Sequence, residues 1–190
     1  MSNDFFDKET YDGENFSITH LQKGEYENCT FNNCHFAQTD LSGFVFADCL
    51  FDHCDLSMAV LRNTTFRDVK FSNCKLLGLR FDECNSFLIS FEFENSILNL
   101  SSFYKLKLKN SLFTNCKLHE ADFVETDLTG ATFQHCDFNN AVFERTILEK
   151  ADFRTSINFI IDPENNKINK AMFSLQTVRG LLNKYQISIE

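Results

Sequence analysis

The sequence predicts an all-β solenoid: a chain wound as a four-sided coil of short strands. Three observations predict it. A large apolar residue returns at every fifth position over most of the chain. The position two before it holds small residues. The position two after it is rich in residues that turn corners.

The five-residue period comes first, because self-similarity has to be tested before helices or strands are assigned. Stepping by five from Phe16 gives Phe16, Leu21, Tyr26, Phe31 and so on to Phe81, every one large and apolar. The register then slips by two, and the step resumes at Leu88 and runs to Phe153 without a failure. Of the 23 phenylalanines, 16 fall in these central positions. A period of five matches neither the helical 3.6 nor the strand 2, so no helix or flat sheet sets these residues on one side. A coil of short straight sides does, with one repeat per side.

The position two before each centre holds Cys29, Cys34, Thr39, Cys49, Cys54, Ala59, Thr64 and Cys74, and later Cys116, Ala121, Thr126, Ala131, Cys136, Ala141, Thr146 and Ala151. Phe44, Leu79, Phe91 and Leu106 depart from the pattern. All eight cysteines keep this register, Cys84 at the slip included, so they read as small buried groups that fill space beside a large one. The position two after the centre carries Asn, Asp or Gly at 13 of 28 repeats, the residues that enter left-handed backbone most easily.

Four sides per turn are supported by columns of residues twenty apart, with the slip adding two. One column reads Phe31, Phe51, Phe71, Phe93, Phe113, Phe133 and Phe153. The others keep long runs of Phe or of Leu, as ring-on-ring packing favours.

Residues 1–15, with Phe5, Phe6 and Tyr11, are expected to cap the N-terminal end, and residues 16–155 to form the coil. The slip at 82–90 is expected to be a bulge with Leu88 as a core centre. Residues 156–170 read as a polar loop holding the sole proline. A short helix is expected after it, started by Ser174, with Leu175, Val178, Leu181, Leu182 and Tyr185 at helical spacing; Ile187 and Ile189 then alternate like a strand. A solenoid needs such covers at both ends.

Composition narrows the function. No basic-then-apolar leader opens the chain and no apolar run reaches membrane length, which predicts a cytoplasmic protein with reduced thiols and no membrane contact. Net charge is −9, with −7 from residues 1–83 (14 acids, 7 bases) and −2 from residues 84–190 (13 acids, 11 bases). Phosphate repels such a chain, so direct nucleic-acid binding is not expected and a basic protein partner is.

Little points to chemistry. Cys29/Cys34 and Cys49/Cys54 have C-x4-C spacing but fall on different sides of the coil, so no metal site is expected. Cys34, Cys54 and Cys74 share a column, where parallel side chains and reduced surroundings disfavour a bridge. His20, His35, His53, His119 and His135 all point outward, and Glu25/Glu27 and Glu92/Glu94 lie on convex sides without a closed pocket. No nucleophile elbow, P-loop or dinucleotide fingerprint occurs, so no enzyme and no cofactor are expected. The outer surface remains. Glu25, Glu27, Asp48, Asp52 and Asp68 form a candidate acidic interaction face, and Lys105, Lys107 and Lys109 a basic strip.

The stretches ADFVE at 121–125, TDLTG at 126–130 and ADFRT at 151–155 resemble the consensus of the pentapeptide-repeat family, and the pattern covers about residues 16–155. The resemblance implies a right-handed quadrilateral β-helix. It also implies a homodimer joined end to end through the C-terminal cap, so that Leu175, Val178, Leu181, Leu182, Tyr185, Ile187 and Ile189 are candidate dimer residues. Among family members the chain is similar to the quinolone-resistance proteins. That likeness implies an acidic rod that imitates DNA and binds DNA gyrase or topoisomerase IV. Duplex DNA of similar length carries about 20 charges over about 34 Å. The net of −9 makes the imitation partial, and the two-residue slip is no long projecting loop. The alternative is a protein-interaction scaffold without DNA imitation.

Overall fold

The computed structural model describes residues 4–188. It is a parallel β-solenoid with almost no helix. Its strands are three or four residues long. On the first side of the coil run β1 (Asp4–Asp7), β3 (Gly24–Glu27), β5 (Val45–Ala47) and β7 (Thr65–Arg67). On the second side run β2 (Thr10–Asp12), β4 (Thr30–Asn32), β6 (Leu50–Asp52), β8 (Val69–Ser72), β9 (Phe91–Glu94), β10 (Leu112–Thr114) and β11 (Thr132–Gln134). Isolated parallel bridges such as His35 with Asp55 and Asp122 with Val142 hold the third and fourth sides together. Phe31 pairs with Phe51 and Phe113 with Phe133, twenty residues apart, while Phe71 pairs with Phe93 across the slip.

The corners explain how so short a side can turn. The residue two after most centres has positive φ, from Asn28 at 54° and Asp48 at 52° to Asn140 at 58° and Lys150 at 60°. Among the described residues, none of the non-glycine residues in this conformation is β-branched, since a branch at Cβ would collide with the backbone there. The residue one before the centre supports the next turn. Asp40, Asp55, Asp122, Asp127, Asp137 and Asp152 each accept the backbone N–H two residues on, at 2.8–3.2 Å. This is the physical content of the acidic second letter in the repeat.

The axis is filled by stacked rings. Tyr11, Phe31, Phe51, Phe71, Phe93, Phe113, Phe133, Phe153 and Phe173 form one column, with successive centroids 4.7–5.6 Å apart. Phe81, Phe103, Phe123 and Phe143 form a second, with planes within 6–7° of parallel. All eight cysteines are free and buried. They do more than fill space. The thiol of Cys54 donates to the carbonyl of Phe31 and that of Cys74 to Phe51, and the hydroxyls of Thr64, Thr126 and Thr146 make the same bond to a carbonyl 23 residues earlier.

Four expectations are corrected. Residues 156–170, expected as a polar loop beyond the coil, continue it: Ile157, Lys167 and Met172 bridge to Asp137, Ile147 and Asp152, Ser156, Phe159 and Ile161 are buried, and Phe173 stacks on Phe153 at 5.6 Å. Residues 4–12, expected as a cap, continue the coil: β1 and β2 pair with β3 and β4, and Phe6 stacks on Tyr26 at 4.6 Å. Leu88, expected in the core, is 60% exposed with φ 58°. Phe91 fills the space in its place, against the rings of Phe66, Phe71, Phe81 and Phe93. A bulky ring two positions before Phe93 leaves no room for Leu88 inside, and the extra residues 85–88 loop outward.

The expected C-terminal helix is the last correction. It is instead two 3-10 turns, Val178–Leu181 and Asn183–Tyr185. Gly180 lies flat on Phe159, where a Cβ would overlap the Phe159 carbonyl, and its own carbonyl accepts Ile161 N–H at 3.1 Å. A carbonyl turned toward the coil no longer lies along a helix, and the tail closes with i→i+3 bonds.

Candidate interaction surface

Of the five acidic candidates, four come together. Glu25 and Glu27 project from β3 on the first side, and Asp48 and Asp68 stack at its corner, one coil apart. Asp48 and Asp68 are exposed and the two glutamates half-buried. Asp52 lies around that corner on the second side. It is engaged within the molecule: the Asn73 amide donates to it at 2.9 Å and His53 contacts it at 3.0 Å, and these bonds hold its carboxyl below the ordinary value. The glutamates at 92 and 94 on the second side are bridged by Lys70, at 2.9 and 2.8 Å.

The acidic group covers only the N-terminal half of the first side. Beyond the bulge the same side gains lysines alongside Asp127 and Glu149. Lys107, Lys150, Lys167 and Lys170 are exposed there, and none of them makes an ion pair among the described residues. Lys109 is held by Asp127 at 3.2 Å, and Lys105 by Glu125 at 3.5 Å. Lys107 was legible as part of a local strip. Lys150, Lys167 and Lys170 joined it only through the twenty-residue columns, applied to the outward positions as well as to the core.

His119 departs from its neighbours. His20, His35, His53 and His135 are exposed, whereas His119 is half-buried and its Nε2 meets Asp137 at 2.8 Å. Asp137 also accepts the Asn158 amide at 2.8 Å, and its carboxyl lies below the ordinary value, burial being outweighed by these partners.

Open space lies at the ends. A cleft of about 600 Å³ separates the last coil from the tail, lined by Ile157, Phe159, Ile160, Leu182 and Ile187 among others. A smaller one of about 450 Å³ sits beside the helical turn Phe16–Thr19, lined by His20, Gln38 and Asp40 with apolar neighbours. Thr39 Oγ1 is the one buried side-chain polar atom without a partner among the described residues, because the carbonyl 23 residues back, that of Phe16, belongs to the helical turn. Among the described residues no group of three or more His, Cys, Asp or Glu is placed to hold a metal ion. No helix there is long and apolar enough to cross a membrane.

The candidate cap residues form no single face. Leu175 is 91% exposed, Tyr185 and Ile187 are exposed, and Val178, Leu181 and Leu182 are half-buried. Leu181 packs on the core. Ile189 lies outside the described residues. Lys184 ties the tail to Asp162 at 2.7 Å and Glu164 at 2.6 Å.

No similar sequence is found among curated proteins. Solved structures with the same fold include QnrB1, a plasmid-mediated fluoroquinolone resistance protein. A trypsin-treated variant of it is 19% identical, with a TM-score of 0.64 over 96% of this chain and 99% of that one. The full-length form is 19% identical, with a TM-score of 0.63 over 97% and 100%. The pentapeptide repeat region profile matches residues 24–92 and 86–157. With the five-residue repeat, the four-sided coil and this match together, the chain belongs to the pentapeptide-repeat family.

Proposed function

We propose that this protein is a non-enzymatic binding rod whose acidic N-terminal half engages a basic protein surface, and that the surface is the DNA-binding face of a type II topoisomerase. The observation that carries the reading is the group Glu25, Glu27, Asp48 and Asp68, all on one side and its corner and free of ion pairs among the described residues. Unpaired carboxylates on a rigid backbone meet a basic surface without rearrangement, which favours rapid, salt-sensitive association. The likeness to QnrB1 supports the choice of partner class. The imitation of DNA is partial, since lysines join the carboxylates along the same side. A homodimer joined at the C-terminal end is part of this reading.

Supercoiling by purified gyrase, with and without a quinolone, tests it. The intact protein is expected to inhibit supercoiling or relieve drug-stabilised cleavage, and Asp48→Asn with Asp68→Asn to weaken either effect. No effect from the intact protein at any concentration rejects the topoisomerase reading.

The mixed charge beyond the bulge favours a second reading, a general protein scaffold. That half, with Lys107, Lys150, Lys167 and Lys170, fits no DNA imitation. A pull-down whose catch survives Asp48, Asp52 and Asp68 changed together to Asn supports the scaffold.

A further inference from the structure

The outward positions of the first side can be counted by coil. Phe5 opens the first level and Glu25 the second. Val45 and Asp48 lie on the third, Thr65 and Arg67 on the fourth, and the bulge on the fifth. Lys107 is on the sixth level, Asp127 on the seventh, Ile147 and Lys150 on the eighth, and Lys167 and Lys170 on the ninth. The bulge belongs to this side: Asn85 reaches over Thr65 at 3.2 Å, and the Ser90 carbonyl accepts Val69 N–H at 3.2 Å. Between them Phe87 and Leu88 project, 71% and 60% exposed.

Four of the charges on this side, Glu25, Asp48, Lys150 and Lys167, are antisymmetric about one point, while Glu27, Asp68 and Glu149 have no opposite charge across it. The second and ninth, third and eighth, and fourth and seventh levels share a midpoint between the bulge and Lys107. A two-fold axis crossing the rod there leaves each position across the side unchanged and inverts the level. Glu25 then faces Lys167, Asp48 faces Lys150, Val45 faces Ile147, and Arg67 lies beside Asp127. Acid meets base, aliphatic meets aliphatic, and the exposed Phe87 and Leu88 sit beside the axis against the lysine stems of the opposite copy.

We propose that two copies of this chain pair side by side and antiparallel through the first side of the coil. An isologous interface of this kind is self-complementary by construction. Its plan, apolar at the centre with charges around it, matches the anatomy of specific interfaces. The contact is small: eight levels at about 4.8 Å by three residues at about 3.3 Å give roughly 400 Å² per copy, below the usual 800 Å². The pair is therefore weak and salt-labile, and it covers Glu25 and Asp48, the same carboxylates proposed to meet a partner. The pairing itself does not rest on that partner.

Zero-length carbodiimide cross-linking tests it directly. Asp48 and Lys150 are five levels apart within one chain, about 24 Å, and Glu25 and Lys167 seven levels, about 34 Å, so an amide joining either pair can form only between copies. Both cross-links are expected at low salt and are expected to disappear at high salt. Sedimentation adds the second arm. Asp48→Lys alone and Lys150→Asp alone are each expected to weaken self-association by about tenfold. An equimolar mixture of the two variants, in which both contacts again join opposite charges, is expected to restore it. The swaps are tolerated by the fold, since Lys105 and Asp68 already occupy equivalent corners. A protein that stays monomeric at low salt overturns the pairing. So does a dimer that shows neither cross-link and ignores both charge reversals, the result expected of association through the C-terminal end alone.

Discussion

The thiol of Cys54 donates to the carbonyl of Phe31, 3.2 Å away and 23 residues earlier in the chain. Both groups are buried, one coil apart, and Thr64, Thr126, Thr146 and Ser156 make the same contact from the same position. Where the small residue before a centre is one of these Cys, Thr or Ser residues, it is therefore also a hydrogen-bond donor that ties one coil to the one beneath; the alanines in that position only fill space. Cys54→Ala is expected to lower stability by about 1 kcal/mol. Cys54→Thr is expected to stay within about 0.5 kcal/mol of the native protein, because it keeps a donor there. Urea unfolding of these proteins beside Cys54→Val, which has the size of Thr but no donor, separates this account from simple space filling, in which Val and Thr would be equal.

The ring column predicts the largest single cost. Phe113 is fully buried and stacks on Phe93 at 5.0 Å and on Phe133 at 4.9 Å. Phe113→Ala removes both contacts and opens a void that neighbouring coils cannot close, at an expected cost of about 3–5 kcal/mol. Phe113→Leu, a residue that fills the neighbouring Leu118 column, is expected to cost less than half as much. Thermal or denaturant unfolding gives both values.

The corners predict a gain. Leu100 has φ 60° and is 54% exposed, a branched apolar side chain in a position where the repeat usually places Asn or Gly. Leu100→Asn removes exposed apolar surface and suits left-handed backbone, so it is expected to stabilise the protein by a few tenths to about 1 kcal/mol. Leu100→Val, β-branched, is expected to destabilise it by about 1–2 kcal/mol. Paired urea melts check the sign of each.

Burial pushes the Cys49 thiol up to about 12 from its ordinary 9.0. Above pH 9 the unfolded chain gives up this proton while the folded chain keeps it. Stability from this group is thus complete below pH 9 and is lost as pH rises toward 12. The slope approaches about 1.4 kcal/mol per pH unit for one such thiol. Unfolding midpoints between pH 8 and 11 are expected to fall, and to fall less steeply in Cys49→Ala, where that proton is gone from both states.

These particulars show where the sequence is informative. The period of five, the twenty-residue columns and the corner residues all reappear as coordinates, because each coil repeats one steric problem and the chain answers it with the same residue types. Phe6 and Tyr11 continue the same count back from Phe16, yet the first coil reads as a cap when the small residue before each centre is missing. Leu88 and Phe91 show the other limit. Two apolar residues competed for one space, and ring volume, which periodicity does not weigh, put Phe91 inside. The acidic group was legible residue by residue. So was its place in the N-terminal half; that Lys150 and Lys167 follow it on the same side was not, because that needs the columns read outward. The tail misled through local spacing: Leu175, Val178, Leu181 and Leu182 have helical periodicity, but Gly180 is committed to a tertiary contact.

That contact supplies the last prediction. Gly180 approaches Phe159 closely enough that a Cβ would overlap the Phe159 carbonyl and crowd its ring, and the Gly180 carbonyl holds Ile161 N–H at 3.1 Å. Gly180→Ala has to push the tail off the last coil, at an expected local cost of about 1–3 kcal/mol. The coil beneath keeps its own bonds, such as Ile157 N–H to the Cys136 carbonyl at 2.9 Å, so global unfolding is expected to change little. Hydrogen exchange is expected to accelerate at Ile161 and through residues 178–186, with no change at Phe133 or Ile157. Tightening of the tail by Ala, as a helix former would bring to a true α-helix, would show the opposite pattern and refute the 3-10 arrangement.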